Sequence, residues 1–271
     1  MMAKETWRII ETGFHDAYFN MAVDEVLMKE KEKDKIPSTI RFYGWRPAAF
    51  SLGYIQDMET EINFEVLRDL GLDCVPRITG GGILFHDQEV TYSLSLGPDS
   101  HLFSHSAGES FCRLCGGIIR FIELLGFKAK FARDTFLAIK NAGAFCFTAN
   151  SSYDIIVENK KLGGNAQRRK KKVILQHGSI PLELDLEKAL PALRNFSREP
   201  IKITSLRDIL SKSLTFEEAL LILKMGFKQG LEIELEPAEL SREEIGMAQV
   251  IAEEKREKIL KLVRGETCIR K

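Results

Sequence analysis

No stretch of this 271-residue chain approaches the ~20 consecutive apolar residues that a membrane-spanning helix needs. An excess of charge of either sign is also missing. The 39 Lys and Arg balance 39 Asp and Glu, so no global field argues for nucleic acid or a membrane surface, and any electrostatic recognition must be local. Cysteine is sparse and odd in number, five in all, which fits free thiols in a reducing compartment better than a disulfide framework. Residues 1–10 carry Lys4, Glu5 and Arg8 without the apolar run of a signal peptide, so a cytoplasmic location is expected. Internal repeats, low-complexity tracts and long Pro/Gly/Ser linkers are absent, and we expect one domain over residues 1–271. Cys112-Arg113-Leu114-Cys115 has no second pair at zinc-ligand spacing, and His101 and His105 lack a surrounding HExxH pattern, so no metal site is expected.

What is present reads as a mixture of strands and helices. Residues 17–32 predict an amphipathic helix with Phe19, Val23, Val26 and Leu27 on one face, and with Asp24, Glu25 and 29–32 mostly toward solvent. Short strands are expected at 40–43 and 49–52 around Gly44-Trp45-Arg46-Pro47, and a helix at 63–70 that Gly71 can end. Strands at 74–78 and 90–96 flank a glycine-rich loop. One helix is expected over 107–125, with Phe111, Cys115, Ile118 and Ile122 as its stripe and Gly126 as its C-cap. Segments 153–157, 162–168 and 173–182 predict a meander. Helices follow at 215–229 and 241–263, the latter opened by the capping box Ser241 and Glu244. Strands first and helices later favour an α+β fold with a mixed β-sheet flanked by helices.

Four segments carry chemistry-bearing residues. In Arg77-Ile78-Thr79-Gly80-Gly81-Gly82-Ile83-Leu84-Phe85-His86-Asp87 the three glycines let a backbone approach a ligand and turn N–H groups toward it, and Arg77 can pair with a carboxylate or phosphate. Composition alone equally allows a flexible hairpin loop. Lys161-Leu162-Gly163-Gly164-Asn165-Ala166-Gln167 places small residues on a strand, which suits a ligand lying against it or a β-bulge. Cys146, between Phe145 and Phe147, reads on its own as a buried, inert thiol. His177, in Gln176-His177-Gly178-Ser179, reads on its own as a structural strand histidine.

In this order, together with Phe19-Asn20-Met21-Ala22-Val23-Asp24-Glu25 and residues 41–56, these segments resemble the lipoate–protein ligase A family over roughly residues 8–255. The resemblance implies a biotin/lipoate protein ligase catalytic domain of class II synthetase-like fold, with a transferase core at about 36–235 and a C-terminal helical segment at about 241–263. It implies that Arg77, Gly80, Gly81, Gly82 and His86 line the acyl-carbonyl region and that Gly163, Gly164 and His177 form the facing wall. Lys161 matches the family's active-site lysine. Cys146-Phe147-Thr148-Ala149-Asn150-Ser151-Ser152-Tyr153 looks like the pattern of the cysteine-dependent octanoyltransferase subgroup.

That subgroup implies transfer of an octanoyl group, through a Cys146 thioester, from octanoyl-acyl-carrier protein to a lysine of a lipoyl domain or of glycine cleavage H protein. No cofactor is expected. ATP and Mg enter only under the alternative of an ATP-dependent lipoate–protein ligase, for which Gly82 is the closer match, whereas Val75-Pro76-Arg77 departs from the ligases' double arginine. An amidotransferase moving the acyl group between carriers also fits, and a non-catalytic acyl- or carrier-binding protein is a further alternative. The basic run 168–172 is the expected carrier-docking patch, or else a solvated turn.

Overall fold

The computed structural model describes residues 4–135, 152–195 and 203–264. In chain order the strands are β1 (Thr6–His15), β2 (Thr39–Trp45), β3 (Ala49–Leu52), β4 (Asp73–Pro76), β5 (Leu84–His86), β6 (Glu89–Leu96), β7 (Ala129–Phe131), β8 (Ile155–Val157), β9 (Lys160–Lys170), β10 (Val173–Pro181) and β11 (Glu234–Ala238). The α-helices are α1 (Ala17–Glu32), α2 (Met58–Glu61), α3 (Phe64–Asp69), α4 (Ala107–Leu114), α5 (Gly116–Leu124), α6 (Leu206–Leu210), α7 (Phe216–Gly230) and α8 (Arg242–Val263).

The larger sheet runs β11-β1-β2-β6-β10-β9-β8-β7. β1 is parallel to both β11 and β2, and the remaining pairs are antiparallel. A small sheet, β4-β3-β5, stands apart from it. The mixed sheet with flanking helices is the α+β architecture expected from the sequence.

Alternation along the strands sorts side chains to two cores. Ile40 and Phe42 of β2, with Tyr92 and Leu94 of β6, meet Phe121 of α5 and Phe227 of α7. On the opposite face Tyr43 and Trp45 join Val23 and Leu27 of α1 and Phe50 of the small sheet. α1 lies against β6 and β10 and is covered from outside by α8. Its expected polar side is therefore corrected: Asp24, Glu30 and Lys31 are buried, because α1 has a second layer over it where an outer helix would meet water.

The single helix expected over 107–125 is corrected as well. It breaks at Cys115, which closes α4 and opens α5. Gly116 and Gly117 follow, and a Cβ on either would collide with Gly230 O at 2.7 Å or the Phe227 ring at 2.4 Å. The break and the bare backbone let α5 and α7 approach closely. Side-chain caps set the other starts, with reciprocal capping boxes opening α6, α7 and α8. The tight β8–β9 connection puts both Glu158 and Asn159 at positive φ, as a two-residue hairpin turn requires.

Candidate active site

Between the polar face of the larger sheet and the small sheet lies a cavity of about 290 Å³. Its lining includes Arg77, Gly80, Gly81 and His86 from the glycine-loop side, and Gly164 and His177 from β9 and β10. These six sequence-derived candidates thus converge, although 100 residues separate Arg77 from His177. Gly82, Gly163 and Lys161 stand just behind the lining. Gly82 receives a hydrogen bond from Arg77 Nη2 at 2.6 Å. Gly163 faces the β10 backbone, where a Cβ would meet Ser179 O at 2.6 Å. Lys161 lies under Gly164: a Cβ there would be 3.5 Å from the lysine Nζ. Cys146 lies outside the described residues.

Arg77 is 5% exposed, and its guanidinium turns inward. Nη1 donates to Ser51 O at 2.7 Å, and Nη2 donates to Gly80 O at 2.9 Å. The expectation of an arginine held ready for a carboxylate or phosphate is therefore modified, since these bonds clamp the loop's carbonyl oxygens. The N–H groups of Gly80, Gly81 and Gly82 donate to no partner among the described residues.

Lys161 is 2% exposed, contrary to the solvated edge position that a strand lysine usually occupies. Its Nζ lies 2.7 Å from Asp154 Oδ2. Asp154 sits just before β8 and lines the cavity, so this buried ion pair borders the space on the β9 side. Sequence reasoning missed Asp154. The available signal was its position across a short hairpin from Lys161.

Sequence reasoning also missed the cluster beneath His177. Asp24 Oδ1 accepts from Arg41 Nη1 at 2.9 Å and Ser93 Oγ at 2.8 Å. Asp24 Oδ2 accepts from the Tyr43 hydroxyl at 2.9 Å and His177 Nδ1 at 3.1 Å. Burial alone would raise the Asp24 carboxyl, but the His177 hydrogen bond and the Arg41 charge outweigh it and hold the group below its usual range. Burial lowers His177 despite the pull of Asp24. A neutral ring with its proton on Nδ1 satisfies this arrangement, leaving Nε2 to accept from the Thr79 hydroxyl at 2.7 Å.

The cavity is more apolar than its residue names suggest. The Trp45 N–H is taken by Thr91 Oγ1 at 2.7 Å, the Tyr43 hydroxyl by Asp24, and both His86 nitrogens by Ser51 and Glu89. Gln167 Nε2 donates to Gln176 at 2.6 Å. With those atoms occupied, the walls present ring faces and carbon together with Met21, Leu84, Phe111 and Ala166. Of the described cysteines, Cys74 and Cys115 are buried, and burial raises both thiols, Cys115 to about 12. The basic run 168–172 is only partly open. Lys170 pairs with Glu32 at 2.6 Å, Arg169 bonds Gln167 at 3.1 Å, and Lys171 and Lys172 are exposed. Among the described residues, no helix is long and apolar enough to cross a membrane.

Comparison with known proteins bears on the family and the fold. The model of the lipoyl protein ligase A/B catalytic domain matches residues 16–228. A Bacillus subtilis protein named octanoyltransferase LipM is 40% identical, with 94% of this chain and 96% of that protein covered. A Kyrpidia tusciae protein of the same name is 41% identical over 89% and 92%. Among solved structures, a lipoate–protein ligase A bound with ATP superposes with a TM-score of 0.76 at 20% identity, covering 94% of this chain and 96% of that one. The bipartite lipoate protein ligase of Thermoplasma acidophilum gives 0.75 at 19% identity, covering 98% of each chain. These structural likenesses concern the fold, and the family model with the sequence relatives fixes the lineage: the chain belongs to the lipoyl protein ligase A/B catalytic domain family.

Proposed function

We propose that this chain is an octanoyltransferase of lipoate biosynthesis. It moves the octanoyl group of octanoyl-acyl-carrier protein to a lysine of a lipoyl domain or of glycine cleavage H protein. The observation that carries this reading is a cavity whose polar side chains are satisfied inside the protein, bordered by unspent glycine-loop N–H groups and a buried Lys161–Asp154 pair. The similarity to proteins named octanoyltransferase supports the acyl group assigned.

In this mechanism Cys146, eight residues before Asp154 in the chain, attacks the donor thioester through its thiolate. The carrier thiol leaves and Cys146 holds the octanoyl group. The acceptor amine then attacks that thioester, an amide forms and the Cys146 thiolate departs. A free thiol has a pKa of about 8.5 and is a minority thiolate at neutral pH, so the Lys161 ammonium favours the reactive form; in the second transfer it passes a proton to the departing Cys146 sulfur and takes up the one lost by the incoming amine. The N–H groups of Gly80–Gly82 face the carbonyl oxygen as it takes charge. Losing one such donor costs ~3 kcal/mol. Each buried methylene contributes ~0.8 kcal/mol, so the cavity discriminates chain length by about four-fold per carbon. The donor thioester carries its own activation, and no cofactor enters the reaction.

The test is intact-mass spectrometry after mixing the protein with octanoyl-acyl-carrier protein in the absence of ATP. An octanoyl adduct is expected on the wild type and absent from Cys146→Ser. Lys161→Ala should sharply slow delivery to the acceptor. Full activity of Cys146→Ser together with a strict ATP requirement would overturn the proposal in favour of a ligase.

A further inference from the structure

The bonds that fix the glycine loop continue beyond Arg77. Arg77 Nη1 also lies 3.1 Å from Ser51 Oγ. The same oxygen is 2.7 Å from His86 Nε2, and His86 Nδ1 is 2.8 Å from Glu89 Oε1. Glu89 in turn receives the Thr91 hydroxyl, and Ser179 Oγ at 2.5 Å. Ser51, His86 and Glu89 are all buried, at 1%, 3% and 4% exposure. Trp45 stacks on the His86 ring at 3.9 Å and 11°, which fixes its plane.

Donor and acceptor chemistry gives this chain one direction. Glu89 already accepts from the Thr91 and Ser179 hydroxyls, and with the same role toward His86 the ring proton sits on Nδ1. Nε2 then takes the Ser51 hydroxyl hydrogen, and the serine oxygen is left to accept from Arg77. Arg77 has no acceptor and donates onward to Gly80 O and Gly82 O. The bonds from Arg77 through Ser51 and His86 to Glu89 polarise one another in the same sense, while the guanidinium's other face donates separately to the two loop carbonyls. The exit of β3 touches the loop directly, because a Cβ on Gly53 would stand 2.0 Å from Gly81 O.

We propose that Ser51 and Glu89 are positioning residues for acyl transfer: acting through His86 and Arg77, they hold the carbonyl oxygens of Gly80 and Gly82 inward and so keep the loop's N–H groups turned to the acyl carbonyl. This deepens the octanoyl-transfer reading and rests on it. Ser51, His86 and Glu89 also have the connectivity of a nucleophile, its base and an orienting carboxylate. The guanidinium distinguishes the two roles. It engages the serine oxygen that an attacking nucleophile would need to bring to the substrate, and it grips the carbonyl oxygen of the same residue, as a strut requires.

Ser51→Ala should lower kcat for octanoyl transfer by about tenfold to a hundredfold, part of what losing an oxyanion donor outright costs, with KM for the carrier little changed. Ser51→Thr, which keeps the hydroxyl, should recover most of the rate, and thermal melts of both variants separate this effect from unfolding. Nitrogen-15 spectra of the His86 ring supply a readout independent of activity: the wild type should show the Nδ1–H tautomer, and Ser51→Ala should shift Nε2. Three results would each overturn the proposal: kcat unchanged in Ser51→Ala, the Nε2–H tautomer in the wild type, or an octanoyl ester on Ser51 in Cys146→Ala. Should the wild type move no octanoyl group, the functional reading fails, and the ring tautomer with its response to Ser51→Ala still decides whether the chain runs as described.

Discussion

Gly163 and Gly164 are neighbours on β9, and alanine at each should act in opposite directions. A Cβ at Gly163 would stand 2.6 Å from the backbone oxygen of Ser179. That obstacle belongs to the paired strand β10 and cannot rotate away, so the two strands must part. A Cβ at Gly164 meets nothing closer than Lys161 Cε and Nζ at 3.5 Å and Asp154 Oδ1 at 3.6 Å, an ordinary contact. Neither glycine has positive φ, so alanine strains neither backbone. Overpacking typically costs ~1–3 kcal/mol, and a tolerated glycine-to-alanine change returns ~0.4–1 kcal/mol through the unfolded chain. Gly163→Ala should therefore lose about 1–2 kcal/mol net, a fall in Tm of roughly 2–8 °C at this chain length. Gly164→Ala should melt with the wild type or up to about 3 °C above it. Its methyl nevertheless enters the cavity wall against the lysine ammonium, so octanoyl transfer should slow while stability holds. Calorimetry and intact-mass transfer assays on the pair check both halves. If Gly163→Ala melts at or above Gly164→Ala, the close approach of β9 and β10 is not as described and the reasoning fails.

Asp24→Ala would leave the fully buried Arg41 without its carboxylate, and breaking such a pair costs ~3–5 kcal/mol; a urea midpoint showing a loss below about 1 kcal/mol would contradict the cluster's connectivity. Burial lowers His177, and it lowers His15 with help from Arg41. Both rings therefore bind protons more readily in the unfolded chain. Their contribution to stability is complete above about pH 6.5 and is lost as pH falls toward the folded-state values. Urea midpoints should drop between about pH 7 and pH 5, and His177→Gln should flatten the slope without removing the part due to His15; identical slopes would exclude His177 as a contributor. Reversing the two exposed lysines with Lys171→Glu and Lys172→Glu should slow carrier association and weaken its salt dependence, whereas unchanged stopped-flow rates would leave this turn as a solvated hairpin.

Much of the architecture was legible in the residues. The segments read as strands at 40–43, 90–96 and 173–182 became β2, β6 and β10, the Ser241 and Glu244 box opened α8, and the glycine loop and the Lys161 strand reached one cavity from opposite sides. What stayed hidden has a common cause. β6 reads Glu-Val-Thr-Tyr-Ser-Leu-Ser-Leu, an alternation that normally signals one solvated face, yet all eight residues are buried. α1 and the small sheet cover the polar side, and no local pattern announces a second layer. For the same reason Asp24 read as a surface position although four donors surround it. Asp154 had only its place across a short hairpin from Lys161 as a signal, and the α4–α5 break had none, because it depends on how closely α7 approaches.

That buried polar face explains how one cavity can suit both ends of an acyl chain. A hydrocarbon tail gains from walls that ask for no hydrogen bonds, whereas a carbonyl acquiring charge gains from donors with nothing else to bind. Strand residues such as Tyr43, Trp45 and His86 would normally supply stray donors. Here each is taken by a partner behind the wall, so desolvating the cavity leaves none of these groups unsatisfied. The glycine loop is arranged the other way round. Arg77 holds its carbonyl oxygens, and its N–H groups remain without partners among the described residues. Donors are thus withdrawn from the walls that would meet the tail and kept free at the loop that would meet the carbonyl. Under the proposed octanoyl transfer, this division would orient an acyl group with its reactive carbon beside the loop. Substitutions that release a wall donor, such as Thr91→Val behind Trp45, should weaken tail binding without moving that carbon. Substitutions that release the loop carbonyls, such as Arg77→Lys, should leave tail binding intact and lower kcat; comparing octanoate affinity with kcat in the two variants tests the division, and a matched loss of both quantities in either one would refute it.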